Sequence, residues 1–277
     1  MRRLLYVLLL GFTVTVVGCA NLNRHSTSAQ ATDSGPVIHG IVQRGELVVG
    51  TTGGMPPLSF KTREGKIDGY EADLAQYIAA GMGVRLKIRT MDFADLLPAL
   101  ENRDVDMVLS GMTITPKRNL QVAFVGPYLK SGKCFLTKEA SLAKAANADE
   151  LNVSNMKLAA VRGTTSEVFV EGVLKDATYV PVANYDEGVE LVLEGKVGAL
   201  VADYPICAVA IIRHPDAGLA SLFTLLTYEP MGVAMPPNDP LLVNWMENFL
   251  NGLRGSGRLD ALKAKWFEDA TWVDELP

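Results

Sequence analysis

Histidine and cysteine are both scarce, three of each in 277 residues. The histidines (His25, His39, His214) lie far apart, and no Cys or His stands in a metal-ligand or nucleophile–base spacing. That argues against a zinc site and against catalysis built on a His base, so no metal ligand and no catalytic residue is expected. Positive charge is short as well: 26 Lys and Arg stand against 31 Asp and Glu, a formal net charge of −5. A mildly acidic surface keeps a protein soluble and argues against a nucleic-acid partner, whose phosphates need a basic patch. Long apolar runs are missing except at the N-terminus, which excludes a channel built of spanning helices.

That one run follows Arg2 and Arg3, extends from Leu4 to Val17, and ends in Val16-Val17-Gly18-Cys19. It is too short to cross a bilayer, which takes roughly 20 apolar residues. A basic start, a short apolar core and a small residue before a cut site describe an export signal over residues 1–18. The ending resembles a bacterial lipobox, so Cys19 is expected to carry a diacylglyceryl group. A two-chain anchor holds where one chain would not. Residues 19–36, rich in Ser, Thr, Asn, Gln and Ala, form the expected flexible tether. The folded part would then sit in the periplasm or on the outer face of the cell membrane. Cys134 and Cys207 remain, too few to define a disulfide framework, and are expected to be free buried thiols.

From Val37 onward, strand and helix patterns alternate, which defines an α/β fold with parallel sheets. Glu46 to Thr51 is a buried strand, Val84 to Arg89 a strand with one wet face, and Val105 to Leu109 a further buried strand. Helices are predicted over Asp73–Gly81 and Ala94–Asn102. Residues 99–110 are echoed by residues 192–203: a helix end, a polar turn, an apolar strand, then a polar residue at its carboxyl end. Open α/β sheets bind ligands at that edge.

The stretch Ser110-Gly111-Met112-Thr113-Ile114-Thr115-Pro116-Lys117-Arg118 occupies such an edge. Thr115-Pro116 predicts an N-cap followed by proline at the first helical position. Arg118 then falls in a first helical turn, against the helix dipole, which makes sense if its guanidinium clamps a carboxylate.

Several further motifs accompany it: Gly50 to Phe60, Asp68 to Ala75, Gly126-Pro127-Tyr128, Gly163-Thr164-Thr165-Ser166-Glu167, Ala202-Asp203 and Lys265-Trp266-Phe267. In their order and spacing they resemble the bacterial extracytoplasmic solute-binding protein family 3, which binds polar amino acids. The resemblance covers essentially the whole mature chain. It implies the type II periplasmic-binding-protein fold, a two-lobed flytrap with two hinge strands. Lobe 1 would comprise 37–130 and a return segment 231–277, and lobe 2 would comprise 131–230. It implies a monomer without cofactor that captures a free L-amino acid for an ABC permease and its ATPase subunits.

Position by position, the resemblance implies a zwitterion held at both ends. Arg118 grips the α-carboxylate, Gly111 and Thr113 hydrogen-bond the ligand's backbone part, and Phe93 lies along its side chain. Thr165, with Thr164 beside it at a helix N-terminus, reaches the carboxylate, and Asp203 takes the α-ammonium. Thr52 and Met55 stand where relatives that bind basic side chains carry an acid and an aromatic, so a neutral or acidic ligand is expected over a basic one. Arg162 is read as a surface residue. The alternative is a periplasmic cyclohexadienyl dehydratase, which acts on prephenate or arogenate, shares the fold and carries a glutamate at the place of Glu167. In a closed cleft that carboxyl could serve as general acid.

Overall fold

The computed structural model describes residues 36–277 apart from 145–149, 151, 153, 222–226 and 270. The export signal, the lipidation site at Cys19 and nearly all of the tether lie outside the described residues.

The first lobe is built on β1 (Glu46–Thr51), entered from helix α1 (Val37–Arg44) through Gly45. Gly45 takes φ 67°, the left-handed turn that closes a helix and that glycine adopts without a Cβ penalty. After β1 the chain forms a small antiparallel sheet of β2 (Gly54–Met55), β3 (Ser59–Lys61) and β4 (Ile67–Asp68). Helix α2 (Tyr70–Met82) follows, three residues longer at its start than the apolar spacing predicts, and Gly83 ends it. β5 (Arg85–Thr90) pairs in parallel with β1, alternating between half-buried and exposed residues as its sequence requires. A short 3₁₀ turn at Phe93–Asp95 and α3 (Leu96–Glu101) lead into β6 (Met107–Val108), also parallel to β1.

Beyond β6 the expected helix is not there. Thr115-Pro116 opens only a three-residue 3₁₀ turn, Arg118–Leu120. Thr115 Oγ1 does accept the Arg118 N–H at 3.2 Å, so the cap forms without a helix to follow it. Arg118 therefore opposes no helix dipole, and its placement needs the contacts described below.

Strand β7 (Ala123–Ser131) completes the first sheet and runs on, across Gly132, into β8 (Lys133–Thr137) of a second one. The second lobe adds β9 (Lys157–Val161), α4 (Thr165–Val173), β10 (Thr178–Val182), α5 (Tyr185–Leu193), β11 (Ala199–Asp203), α6 (Tyr204–Arg213) and β12 (Ala220–Ser221). The chain re-enters the first sheet as β13 (Glu229–Met235), where Glu229 lies opposite Ser131. The two strands that cross between the lobes are thus hydrogen-bonded neighbours.

The sheet orders are β5-β1-β6-β13-β7 and β10-β9-β11-β8-β12. Each has a core of three parallel strands in which the last in sequence joins the first, so β6 and β11 are equivalent and central. Those are the two echoed segments, with Ser110 and Asp203 at their carboxyl ends. Helices α7 (Pro240–Gly255) and α8 (Arg258–Lys263) return to the first lobe. α7 buries Leu242, Met246, Leu250 and Leu253, the stripe that a helical period puts on one face. Trp266 Nε1 donates to Asp73 Oδ2 at 2.8 Å, and its ring packs on Phe60, pinning the C-terminal segment to α2 and β3.

Cys134 and Cys207 form a disulfide, contrary to the expectation of free thiols. Their Cα atoms are 6.4 Å apart, within bridging range. The sequence concealed this because the pair is 73 residues apart and meets only when α6 packs on β8. We expect a thiol assay on the protein denatured without reductant to find neither cysteine. Replacing both with alanine should lower urea-unfolding stability by about 2–4 kcal/mol, the usual effect of opening a long loop. Two titratable thiols in that assay would contradict the pairing.

Candidate functional site

The loop after β6 is shaped by what lies beneath it. Ser110 Oγ, fully buried, accepts the Thr52 N–H at 3.0 Å and donates to Thr52 Oγ1 at 3.3 Å, fastening it to the loop after β1. Gly111 has φ 58°, and a Cβ there would lie 2.6 Å from Met55 Cε, so only glycine fits. Its N–H donates to Glu71 Oε1 at 2.6 Å and is turned away from the cleft. Met55 is packed under the loop, while Thr52 faces a cavity.

Arg118, half-buried, extends back across this loop. Nη1 donates to Thr113 O and Nη2 to Gly163 O, both at 2.9 Å, and the guanidinium lies 5.4 Å from the centre of the Phe93 ring. Gly163 belongs to the second lobe, so Arg118 already spans the cleft. A guanidinium has five N–H donors, and three are left for an anion.

In the second lobe, Thr164 caps α4. Its hydroxyl accepts the Glu167 N–H at 3.3 Å and donates to Val161 O at 2.6 Å, which uses its one proton. Glu167 reaches back past the cap: Oε2 accepts the Gly163 N–H at 2.7 Å and Oε1 accepts the Tyr179 hydroxyl at 2.9 Å. Asp203 sits where a helix cap would be, yet makes no capping bond. Its Oδ1 is 2.8 Å from Lys133 Nζ, the cross-strand partner on β8, and both side chains are almost fully buried. Lys133 Nζ is also 3.6 Å from Glu229 Oε2.

Glu229 joins everything together. Oε2 accepts Thr113 Oγ1 at 2.8 Å from the first lobe and Thr165 Oγ1 at 2.9 Å from the second, and Oε1 accepts Thr227 Oγ1 at 2.9 Å. Thr113 and Thr165 hydroxyls are 3.5 Å apart. Phe93, Thr113, Arg118, Thr165 and Asp203, predicted separately, therefore converge on one network. Lys133 and Glu229 belong to it, Tyr185 stands within reach of its charges, and none of the three is expected from the sequence. Lys133 left one signal, a lysine heading the apolar run Cys134-Phe135-Leu136.

Burial sets the electrostatics, and neighbours correct it. It pushes Asp203 above the usual carboxylate range, against the pull of Lys133. At Glu229 burial also raises the carboxyl, but the Lys133 ammonium and the hydroxyls of Thr113, Thr227 and Thr165 more than offset it and hold it below its ordinary value. Burial lowers Arg118, opposed by the charges of Asp203 and Glu229. The Tyr185 hydroxyl is raised by burial and by Asp203; it is buried and has no hydrogen-bond partner among the described residues. Tyr185 lines a cavity of about 320 Å³ between the lobes with Thr52, Thr90, Asp92, Phe93 and Asn184. Glu71, beneath the Gly111 loop, is pushed up to about 7 by burial, although its Oε1 accepts Tyr128 Oη and the Gly111 N–H.

The family described as bacterial extracellular solute-binding proteins, family 3, matches residues 47–269. The L-cystine-binding protein TcyJ of Escherichia coli (strain K12) is 26% identical over 234 residues, 83% of this chain and 86% of that protein. A crystal structure of a putative ABC-transporter binding component from Wolinella succinogenes, complexed with lysine, superposes with a TM-score of 0.78 at 34% identity, covering 83% of this chain and 99% of the other. The cyclohexadienyl dehydratase of Pseudomonas aeruginosa is 25% identical over 247 residues, 88% of this chain and 90% of that protein. The chain belongs to the family-3 bacterial extracellular solute-binding proteins, a two-lobed, extracytoplasmic class that serves amino-acid ABC transporters.

Glu71 gives the loop a pH dependence. A buried carboxyl that titrates near 7 when folded and near 4.5 when unfolded binds an extra proton in the folded state between those values. Stability from this group is therefore full below about pH 4.5 and is lost as pH rises through 7, by on the order of 3 kcal/mol. Glu71→Gln keeps an acceptor for Gly111 and Tyr128 and removes the charge. Denaturant unfolding at pH 5 and pH 8 should show a smaller loss in this variant than in the wild type. Equal losses would remove Glu71 from this role.

Proposed function

We propose that the protein captures a free L-amino acid between its lobes and passes it to an ABC permease with its ATPase subunits, acting as a monomer without catalytic chemistry. One observation carries this reading. Thr113 of one lobe lies 3.5 Å from Thr165 of the other, the Arg118 guanidinium stands over the Phe93 ring, and the charges of Arg118 and Asp203 act on each other across the cleft. An α-amino acid offers the complementary pair, carboxylate to Arg118 and the threonine hydroxyls, ammonium to Asp203. Tyr185 supplies a further buried hydroxyl at the same place.

The side chain of the ligand would enter the cavity lined by Thr52, Thr90, Phe93, Asn184 and Tyr185. The charged residues lining it are Asp92 and Asp186, with no Lys or Arg among its walls. Asp186 is matched by Arg213 at 3.3 Å. That disfavours an acidic side chain, and the hydroxyls and amide favour a neutral, hydrogen-bonding one. The named ligands of relatives differ, cystine in one and lysine in another, so ligand class follows these walls and not the family. Against the dehydratase reading, both Glu167 oxygens are taken up within the second lobe, by the Gly163 N–H and the Tyr179 hydroxyl.

Arg118→Ala should weaken amino-acid binding by about 2–5 kcal/mol, since it strands a buried opposite charge, and Arg118→Lys should also lose affinity. Tyr185→Phe should weaken it by about 1 kcal/mol, one hydrogen bond. In a thermal-shift panel, neutral polar amino acids should stabilise most, by about 2.7 kcal/mol at a hundred times Kd. Near-wild-type calorimetric affinity in Arg118→Ala would sink the reading.

Anchoring is part of the same proposal, motivated by Val16-Val17-Gly18-Cys19. Cys19→Ser should shift the protein from the membrane fraction to the soluble fraction, or leave it uncleaved, with ligand affinity unchanged. A wild-type protein that fractionates as soluble with an intact Cys19 thiol would contradict it.

A further inference from the structure

Lys133 and Glu229 bring a second pair of charges to the cleft, and their partners are specific. The Lys133 ammonium lies on Asp203, the carboxylate proposed to receive a ligand's ammonium. The Glu229 carboxylate accepts from Thr113 and Thr165, the hydroxyls proposed to receive a ligand's carboxylate. Together the two side chains present the charges of an amino-acid zwitterion to the groups that would hold one. They stand at the two places where the chain crosses between the lobes: Lys133 opens β8, and Glu229 opens β13 opposite Ser131.

We propose that Lys133 and Glu229 are an internal stand-in for the ligand and that capture is an exchange of ion pairs, an inference that rests on the amino-acid reading above. The incoming ammonium takes Asp203, and the incoming carboxylate takes the two threonine hydroxyls and the free edge of Arg118. Lys133 and Glu229, already 3.6 Å apart, then close on each other. Glu229 keeps the Thr227 hydroxyl on its other oxygen throughout, so neither oxygen is left without a partner. At no stage is a charge buried alone, which would be strongly unfavourable. Lys133 and Glu229 are positioning residues: they set how much of the ligand's interaction with Asp203 and the threonines is free to appear as affinity.

The two residues act in opposite directions, and that makes the idea testable. Lys133→Met removes the cation that competes for Asp203 and leaves two carboxylates for the ligand's ammonium to balance. Glu229→Gln removes the place to which Lys133 retreats, so Lys133 stays on Asp203 and competes harder. We expect calorimetry on the full-length protein, with the amino acid that stabilises it most, to show Kd lowered about tenfold in Lys133→Met and raised about tenfold in Glu229→Gln. The Glu229→Gln effect should shrink to less than about threefold in the Lys133→Met background, a coupling that only interacting sites produce. An ion pair serving stability alone would weaken binding, or leave it unchanged, in both single variants, and either result overturns the exchange. Should Lys133→Met fail to fold, Glu229→Gln decides: binding that is unchanged or tighter overturns it. A wild-type protein that binds no amino acid overturns both readings, whereas binding with same-sign shifts overturns the exchange alone.

Discussion

Arg118, Lys133, Asp203 and Glu229 place two positive and two negative charges out of bulk water where the lobes meet. Desolvation penalises every one of them, and each is tolerable only because another stands nearby. Glu229 is the member on which the rest lean, since it contacts a hydroxyl from each lobe and a cation at the crossing point. Balanced charge with no net excess is a suitable environment for a dipolar molecule, which adds one charge of each sign. A monovalent ion entering the same place would leave a surplus behind.

The fold delivers these groups by repeating one arrangement. In each lobe a parallel three-strand core places the third strand centrally, and the residues following it, Ser110 in one case and Asp203 itself in the other, stand at its carboxyl end. Facing the two edges toward each other brings together side chains that are distant in sequence. Support beneath the edges differs. The first lobe uses a buried carboxyl, Glu71, to hold the Gly111 loop; the second uses a disulfide one residue beyond Lys133 and one helical turn beyond Asp203.

Much of this was legible in the sequence, and the limits have physical causes. Period-two and buried runs located β1, β5 and β11, because burial pattern is a local property. The loop from Ser110 to Arg118 was recognisable by its residues, but the helix expected after Thr115-Pro116 stops after one 3₁₀ turn, since a cap does not guarantee propagation. Asp203 is expected to be a site residue, yet nothing in the sequence points to its partner. Lys133 lies 70 positions away and meets it only through antiparallel pairing of β8 with β11, a register that depends on the whole sheet. Glu229 and the disulfide escaped for the same reason. Thr164 is expected to touch the ligand, and its hydroxyl also serves the α4 cap, a competition between local and functional hydrogen bonding.

The pairing of Ser131 with Glu229, and of Lys130 with Pro230 and Leu129 with Met231, has a mechanical consequence. Two separate tethers would let the lobes twist, shear and swing. A hydrogen-bonded two-stranded ribbon resists stretching along its length and shear within its plane, and yields most easily to bending across its face. At its bulge, between Met231 and Val233, Gly126 and Gly232 pass without room for a side chain, and Ile114 packs on Gly232, so that end of the ribbon is held fast in the first lobe. The lobes are thereby restricted to something close to a door's single arc, and a rigid-body motion with one soft coordinate can be read reliably by whatever docks on both leaves.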